Sequence, residues 1–453
     1  MFTFSEFKYR CQDNWIINHN CAELFTLTEQ FYHQLILDKH HKPNIILSER
    51  NPIRFLAGFI ASVLAKCPVF LCNPDWVNNE WEQVFNLVQP DVIFGDLPLI
   101  EKKKIEKLKL PEESYIMIPT GGSSGNIRFT IHSWPTLSNS VRGFQQYFAL
   151  NYVNSFCVLP LYHVSGLMQF MRAFITGGKL VITPFKQLTN HHNYAINEHD
   201  FFISLVPTQL QKIFTNPDLT LWLSQFKTVL LGGGNSHEQL LIKARSNGIL
   251  LSPTYGMTET ASQIATLKSE YFLNGHNSCG HILPHAQIFI TNEQGEILDN
   301  NQTGIINIKS DSLCLGYYPN FWSNNTFITD DLGMIDHQGF LHILGRNSQK
   351  IITGGENVFP QEVENAIKST NLVKDVCIIG LDDPDWGQII TAIYVPINDT
   401  ISVEMILQNI QTKLSKFKHP KSWLKVESLP CNSQGKVNLQ QVKMMVKTHL
   451  TND

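Results

Sequence analysis

The sequence predicts an α/β fold: a large N-terminal domain of doubly wound mixed sheets, a small β-barrel-like subdomain, and a small α+β C-terminal domain. Two observations carry this. Up to about residue 250, short apolar runs bounded by Pro, Asn, Asp or Gly alternate with helical patterns, as strand–helix–strand units of a parallel sheet do. From Gln287 to Ile343 the texture changes to short alternating runs separated by turns such as Thr291-Asn-Glu-Gln-Gly295 and Asp336-His-Gln-Gly339, which reads as antiparallel hairpins. A chain of 453 residues has room for about three such units at roughly 150 residues each.

Taken in order, Asn44–Leu47, Pro68–Cys72 and Val92–Phe94 are expected strands, with helices over Asn51–Ala65 and Asn79–Val88 between them. Lys102–Lys109 packs five lysines into eight positions and reads as a solvated connector. A second alternating stretch offers strands at Ser155–Leu159, Lys179–Ile182, Phe201–Val206, Thr228–Leu231 and Ile249–Ser252. A compact unit of mixed strand and helix signals follows Gly345-Arg346. The boundary is expected near Ser348, giving domains 1–347 and 348–453.

Composition excludes several classes. A net charge of −4 argues against a general nucleic-acid binder, which needs a basic surplus to neutralise phosphates. With 43% hydrophobic residues and 28 Phe the chain has too much apolar area to be mainly disordered. The most apolar stretch, Phe55–Cys72, contains Lys66 and falls short of the roughly 20 unbroken apolar residues of a membrane span. The N-terminus carries acid and amide residues where a signal peptide has its apolar core. Nine scattered cysteines without a C-x-x-C pair point to reduced structural thiols and a cytoplasmic protein.

Six local signals carry chemistry. The strand Ser114-Tyr-Ile-Met-Ile-Pro119 runs into Thr120-Gly121-Gly122-Ser123-Ser124-Gly125-Asn126-Ile127-Arg128. Glycines there let the backbone approach a polyphosphate, hydroxyls and N–H groups bond its oxygens, and Arg128 balances its charge. Gly232, Gly233 and Gly234 close another strand. Thr254-Tyr255-Gly256-Met257-Thr258-Glu259-Thr260 follows the strand at Ile249–Ser252, at a carboxyl end where open α/β sheets bind ligands. Glu259 is suited to Mg²⁺ bridging to phosphates. Asp331, Arg346 and Lys436, the last on an expected tight turn, complete the series.

In this order the motifs resemble the adenylate-forming superfamily of acyl-CoA synthetases, peptide-synthetase adenylation domains and luciferases, over nearly the whole chain. The resemblance implies an N-terminal domain that binds ATP and an acid, and a C-terminal domain that rotates between two half-reactions. It further implies that Thr120–Arg128 holds the β- and γ-phosphates, Gly232–Gly234 and Tyr255 flank the adenine, and Glu259 ligates Mg²⁺. Asp331 would bind the ribose hydroxyls, Arg346 the ribose–phosphate region, and Lys436 the attacking carboxylate and α-phosphate. Thr353–Asn357 would serve the CoA step. Two positions depart from the family pattern. Ile127-Arg128 stands where the family has Pro-Lys, and Ser348 where it has a charged hinge residue. Arginine keeps the charge and can clamp phosphate with two donors.

Leu159-Pro-Leu-Tyr-His163-Val-Ser-Gly166 would lie at the acyl pocket, with Arg172 nine residues beyond His163 on an apolar helix. A cation there either snorkels or pairs within the protein as a structural group, or it neutralises the second carboxylate of a dicarboxylic acid, which a fatty acid lacks. With Ser204 and Thr208 in Ser204-Leu-Val-Pro-Thr208-Gln-Leu210, the pattern resembles the branch of the family that activates 2-succinylbenzoate in menaquinone and phylloquinone biosynthesis. The expected partners are therefore a small carboxylic acid, ATP and CoA, with Mg²⁺. Self-association into a homo-oligomer stays open, as do an aryl- or medium-chain acyl-CoA synthetase and a non-catalytic nucleotide-binding relative.

Overall fold

The computed structural model describes residues 3–37, 42–97, 114–121, 126–190, 194–234, 236, 238–354, 356–431 and 437–450. The lysine-rich connector expected at Lys102–Lys109 lies outside them. The chain divides into two compact units. The first comprises Met1–Gly233, Asn247–Gln287 and Ile308–Phe327, the second Gly234–Ser246, Ile288–Asn307 and Ile328–Asp453.

The first unit contains two seven-stranded sheets of the same plan. In one, Ile45–Ser48 pairs in parallel with Val69–Leu71 and Val92–Gly95, and Val69–Leu71 with Tyr115–Gly121. The sheet then turns antiparallel through Ile127–Ser133 and the short hairpin Gly316–Tyr317/Asn320–Phe321. In the other, Leu180–Ile182, Asn154–Cys157, Phe201–Leu205, Thr228–Leu231 and Leu251–Met257 run parallel. Ser262–Thr266 and His281–Ile282 then close it antiparallel. The fold class expected from the alternating signals is the one found.

Local sequence explains the helices that flank these strands. Asn51 caps Pro52–Leu64, its side chain accepting from the amides of Ile53 and Arg54, with Pro at a helix start where its missing N–H costs nothing. Val164–Thr176 stops at Gly177, which takes the left-handed conformation (φ +76°) that glycine adopts without penalty. Both helices feed a core that includes Phe55, Phe59, Trp15, Phe170 and Met171, each at most 2% exposed.

The strand expected to end at Ser252 instead continues to Met257. Its continuation is held by Ser262–Thr266 across a bulge between Tyr255 and Gly256, a non-local pairing that overrides the local turn signal of Pro and Gly. Gly256 is required at that point, because a Cβ would lie 2.2 Å from the Ser262 carbonyl oxygen.

The four-stranded sheet Ala286–Thr291, Gly304–Ser310, Thr326–Ile335 and Leu341–Arg346 is the small all-β element expected between Gln287 and Ile343. Most of it belongs to the second unit. That unit also holds a five-stranded sheet built on the long hairpin Val373–Asp383/Gly387–Pro396. Helices Pro360–Lys368 and Val403–Ile410 contribute Val363, Ile367, Ile406 and Ile410 to its core. Ser348 lies in the turn Asn347–Gln349 that follows Leu341–Arg346.

Candidate active site

Tyr115–Gly121 and Ile127–Ser133 pair as antiparallel strands on either side of the glycine- and serine-rich segment, with Thr120 opposite Arg128 and Gly121 opposite Ile127. The second strand was not anticipated. Gly122, Ser123, Ser124 and Gly125 lie outside the described residues, but the ladder fixes both ends of the loop and puts the cation beside its entry. The Ile127 amide donates to Gln83 Oε1 at 2.9 Å, which anchors the returning strand.

Glu259 sits in the turn Thr258–Thr260, directly after the strand Leu251–Met257, and is 7% exposed. Two groups outside its own turn hold Glu259, and a third holds its neighbour Thr258. The Tyr317 hydroxyl donates to Glu259 Oε1 at 2.6 Å, and the Cys314 amide donates to the Glu259 carbonyl at 2.8 Å. His132, fully buried on Ile127–Ser133, donates from Nε2 to the Thr258 carbonyl at 2.8 Å. Burial pushes the His132 imidazole down to about 4, so it is a neutral strut between the strand Ile127–Ser133 and the turn that holds Glu259. The backbone is strained just beyond: Ala261 and Ser262 take φ +52° and +101°, a conformation that non-glycine residues hold only under tertiary constraint.

Arg128 reaches the same place from the other strand. Its guanidinium carbon lies 4.4 Å from the Tyr317 ring centroid. Tyr317 thus touches both charged groups that sequence reading assigned to the phosphates, and it was not itself singled out. Gly232 and Tyr255 stand at the ends of neighbouring parallel strands, Pro253 pairing with Leu231. A Cβ on Gly232 would meet Thr254 Oγ1 at 2.5 Å, and Gly233 has φ +75°. Gly234 falls in the second unit.

Among the described residues no cluster of three or more His, Cys, Asp or Glu side chains is arranged to hold a metal. A single buried, oriented carboxylate fits Mg²⁺ nonetheless, since that ion commonly takes one or two protein carboxylates and completes its shell with substrate phosphate and water.

His163 is the half-buried N-cap of Val164–Thr176, its ring 4.6 Å from that of Tyr162. Along that helix Arg172 is 3% exposed. Its Nη2 donates to Gln263 Oε1 at 2.7 Å and to Ser262 Oγ at 3.0 Å, while the guanidinium lies 4.3 Å from the Phe144 ring centroid. Burial pushes Arg172 down to about 9, so it stays charged at neutral pH. Its Nε, Gln263 Nε2 and both ring nitrogens of His285 are buried with no hydrogen-bond partner among the described residues. Burial, with Arg172 as a lesser cause, pushes His285 down to about 4. Ser204 is half-buried on Phe201–Leu205, and Thr208 is exposed at the start of Pro207–Ile213.

In the second unit Asp331 and Arg346 face each other across adjacent antiparallel strands, Nε to Oδ1 3.5 Å. Beside them Ser348 donates from its amide to Asp330 Oδ1 at 3.0 Å and from its hydroxyl to Oδ2. Lys436 lies outside the described residues.

Residues 98–318 match the AMP-binding enzyme family, and residues 362–436 match the C-terminal domain of AMP-binding enzymes. A 2-succinylbenzoate–CoA ligase of Bacillus mycoides is 30% identical over 343 residues, 74% of this chain and 71% of that protein. The chain belongs to the AMP-binding enzyme family. A 2-succinylbenzoate–CoA ligase of a Geobacillus species is 34% identical over 295 residues, and the chain spans 60% of that relative's length. Solved structures share the fold. The o-succinylbenzoate CoA synthetase MenE of Bacillus subtilis, in complex with the acyl-adenylate OSB-AMP, superimposes with a TM-score of 0.80 at 24% identity over 97% of both chains. ATP-bound MatB of Rhodopseudomonas palustris gives 0.81 at 20% identity over 98% of this chain and 99% of that one. Among the described residues no helix is long and apolar enough to cross a membrane.

Proposed function

We propose that the chain is an ATP-dependent acid–CoA ligase acting on 2-succinylbenzoate in menaquinone or phylloquinone biosynthesis. The observation that carries the choice of acid is the buried cluster around Arg172, a cation that among the described residues has only neutral hydrogen-bond partners, with unused donors on itself and Gln263. A fatty acyl chain would leave that charge uncompensated, whereas the second carboxylate of a dicarboxylic acid would satisfy it. His163, Ser204 and Thr208 would line the rest of the acid site. The name shared by the two relatives reported above supports the same acid.

In the first half-reaction a carboxylate oxygen of the acid attacks the α-phosphorus of ATP. The bond to the β-phosphate oxygen breaks, giving acyl-adenylate and diphosphate. Carboxylate and triphosphate repel each other, so in-line attack needs cations converging on the phosphates. Arg128 would supply one at the β- and γ-phosphates and Lys436 another at the α-phosphate, while the Thr120–Gly125 loop would donate backbone N–H groups and hydroxyls. Glu259 would hold Mg²⁺, which when bound neutralises phosphate charge. Gly232–Gly234, Tyr255, Gly256 and Thr258 would border the adenine, and Asp331 and Arg346 the ribose. In the second half-reaction the CoA sulfur attacks the acyl carbonyl carbon and AMP leaves, with residues 348–453 turning about Ser348 to bring Thr353–Asn357 to the site. The compartment is the cytoplasm, where the thiols of nine scattered cysteines stay reduced.

Acid-dependent diphosphate release, measured across a panel of acids with and without CoA, tests this reading. Release selective for 2-succinylbenzoate is expected. Preference for a monocarboxylic aryl or medium-chain acid would move the chain to another branch, and no release with any acid would make it a non-catalytic relative.

A further inference from the structure

Tyr317 contacts two charged groups carried by different elements, Glu259 in the turn Thr258–Thr260 and Arg128 on Ile127–Ser133. Its hydroxyl holds Glu259 at 2.6 Å while its ring face carries the Arg128 guanidinium at 4.4 Å from the centroid. Tyr317 is itself fixed from both sides. It pairs with Thr130 on the phosphate-loop strand, and its ring meets Trp322 edge to face, centroids 5.4 Å apart.

We propose that Tyr317 is a positioning residue for the phosphate site, fixing the Glu259 carboxylate for Mg²⁺ with its hydroxyl and seating Arg128 for the phosphates on its ring. A carboxylate oxygen can only accept, so at 2.6 Å the phenol O–H is the donor to Glu259. The ring also suits an arginine at this position. A planar guanidinium stacks on an aromatic face, and the same plane presents its donors edge-on to phosphate. The inference rests on the proposed binding of Mg-ATP and adds to it a residue that acts through Glu259 and Arg128.

The test is calorimetric titration of the full chain with ATP, in EDTA and across a series of Mg²⁺ concentrations. Tyr317→Phe keeps the ring and removes the hydroxyl. It should leave affinity in EDTA unchanged but cut the Mg²⁺-dependent gain by roughly ten-fold or more, as loss of a group orienting a metal ligand does. Tyr317→Leu removes the seat as well and should also weaken binding in EDTA. In a Glu259→Gln background, Tyr317→Phe should have no further effect on Mg²⁺ dependence. That cycle, with matched unfolding midpoints, separates positioning from general damage. An unchanged Mg²⁺ response in Tyr317→Phe, or an equal loss in the Glu259→Gln background, overturns the positioning role. Wild-type protein that binds no ATP in either condition overturns the ligase reading itself.

Discussion

At the scale of single residues the decisive group for specificity is Arg172. Removing one member of a buried charge pair costs on the order of 2–5 kcal/mol. Arg172→Ala should therefore lower kcat/KM for 2-succinylbenzoate by roughly 30-fold or more. An analogue whose second carboxylate is replaced by a neutral group should lose far less. Steady-state kinetics on both acids gives the ratio, and equal losses would reduce Arg172 to scaffolding for Gln263 and Phe144. Asp331 makes a separate prediction. Its carboxylate already shares charge with Arg346, and it is expected to accept both ribose hydroxyls. Asp331→Ala should weaken ATP and AMP alike, by roughly ten-fold for a lost charged hydrogen bond. Calorimetry showing unchanged affinity for both nucleotides would remove Asp331 from the ribose site.

At the scale of elements, what could be read in the chain was what neighbours in sequence determine. Thr228–Leu231 and Phe201–Leu205 announce themselves as apolar runs ended by Gly or Pro because their pairing needs no special partner. Ile127–Ser133 and the end of Leu251–Met257 did not, since each exists only through an antiparallel neighbour. Tyr317 was silent for the same reason: 58 residues separate it from Glu259, and a Gly-Tyr pair in a short run carries no catalytic signal. In the second unit, helix Pro360–Lys368 turns the Glu364 carboxyl inward, where it accepts from the Ile378 amide at 2.9 Å. Burial pushes it up to about 7 from an ordinary 4.5. The folded state thus holds a proton that the unfolded chain has lost, and the stabilisation, full below about pH 4.5, drains away as pH rises through 7. Glu364→Gln stays neutral and can still accept that bond. Relative to wild type its unfolding free energy should gain up to roughly 3 kcal/mol between pH 4.5 and 8. Urea titrations at the two pH values giving the same difference would exclude a buried, neutral Glu364.

For the whole molecule, the sequence motifs divide between the two compact units, with Arg128, Glu259 and Arg172 in one and Asp331, Arg346 and Ser348 in the other. A ligase with two half-reactions can use such a division by assigning Lys436 to adenylation alone. Lys436→Ala should lose acyl-AMP formation by about two orders of magnitude or more, the scale of a lost electrostatic contact in the transition state. It should still convert supplied acyl-AMP and CoA to thioester at near wild-type rate. Measured separately, equal loss in both half-reactions would contradict the assignment and point to a folding defect.

The hairpin that carries Tyr317 is also the outermost rung of its sheet, with Asn320 and Phe321 exposed along its free edge. Edge rungs open at lower free energy than central strands, so the clamp on Glu259 can be released without disturbing the core beneath it. Amide hydrogen exchange makes this visible. The amides of Tyr318 and Trp322, bonded to the carbonyls of Phe129 and Leu315, should exchange faster than those of Tyr115–Gly121. If ligand contacts made through Glu259 and Arg128 need the hairpin closed, Mg-ATP at about 100 times its Kd should slow these two amides by roughly a hundred-fold. The edge of the sheet would then report occupancy of the site, and exchange insensitive to saturating nucleotide would show that the hairpin opens and closes independently of it.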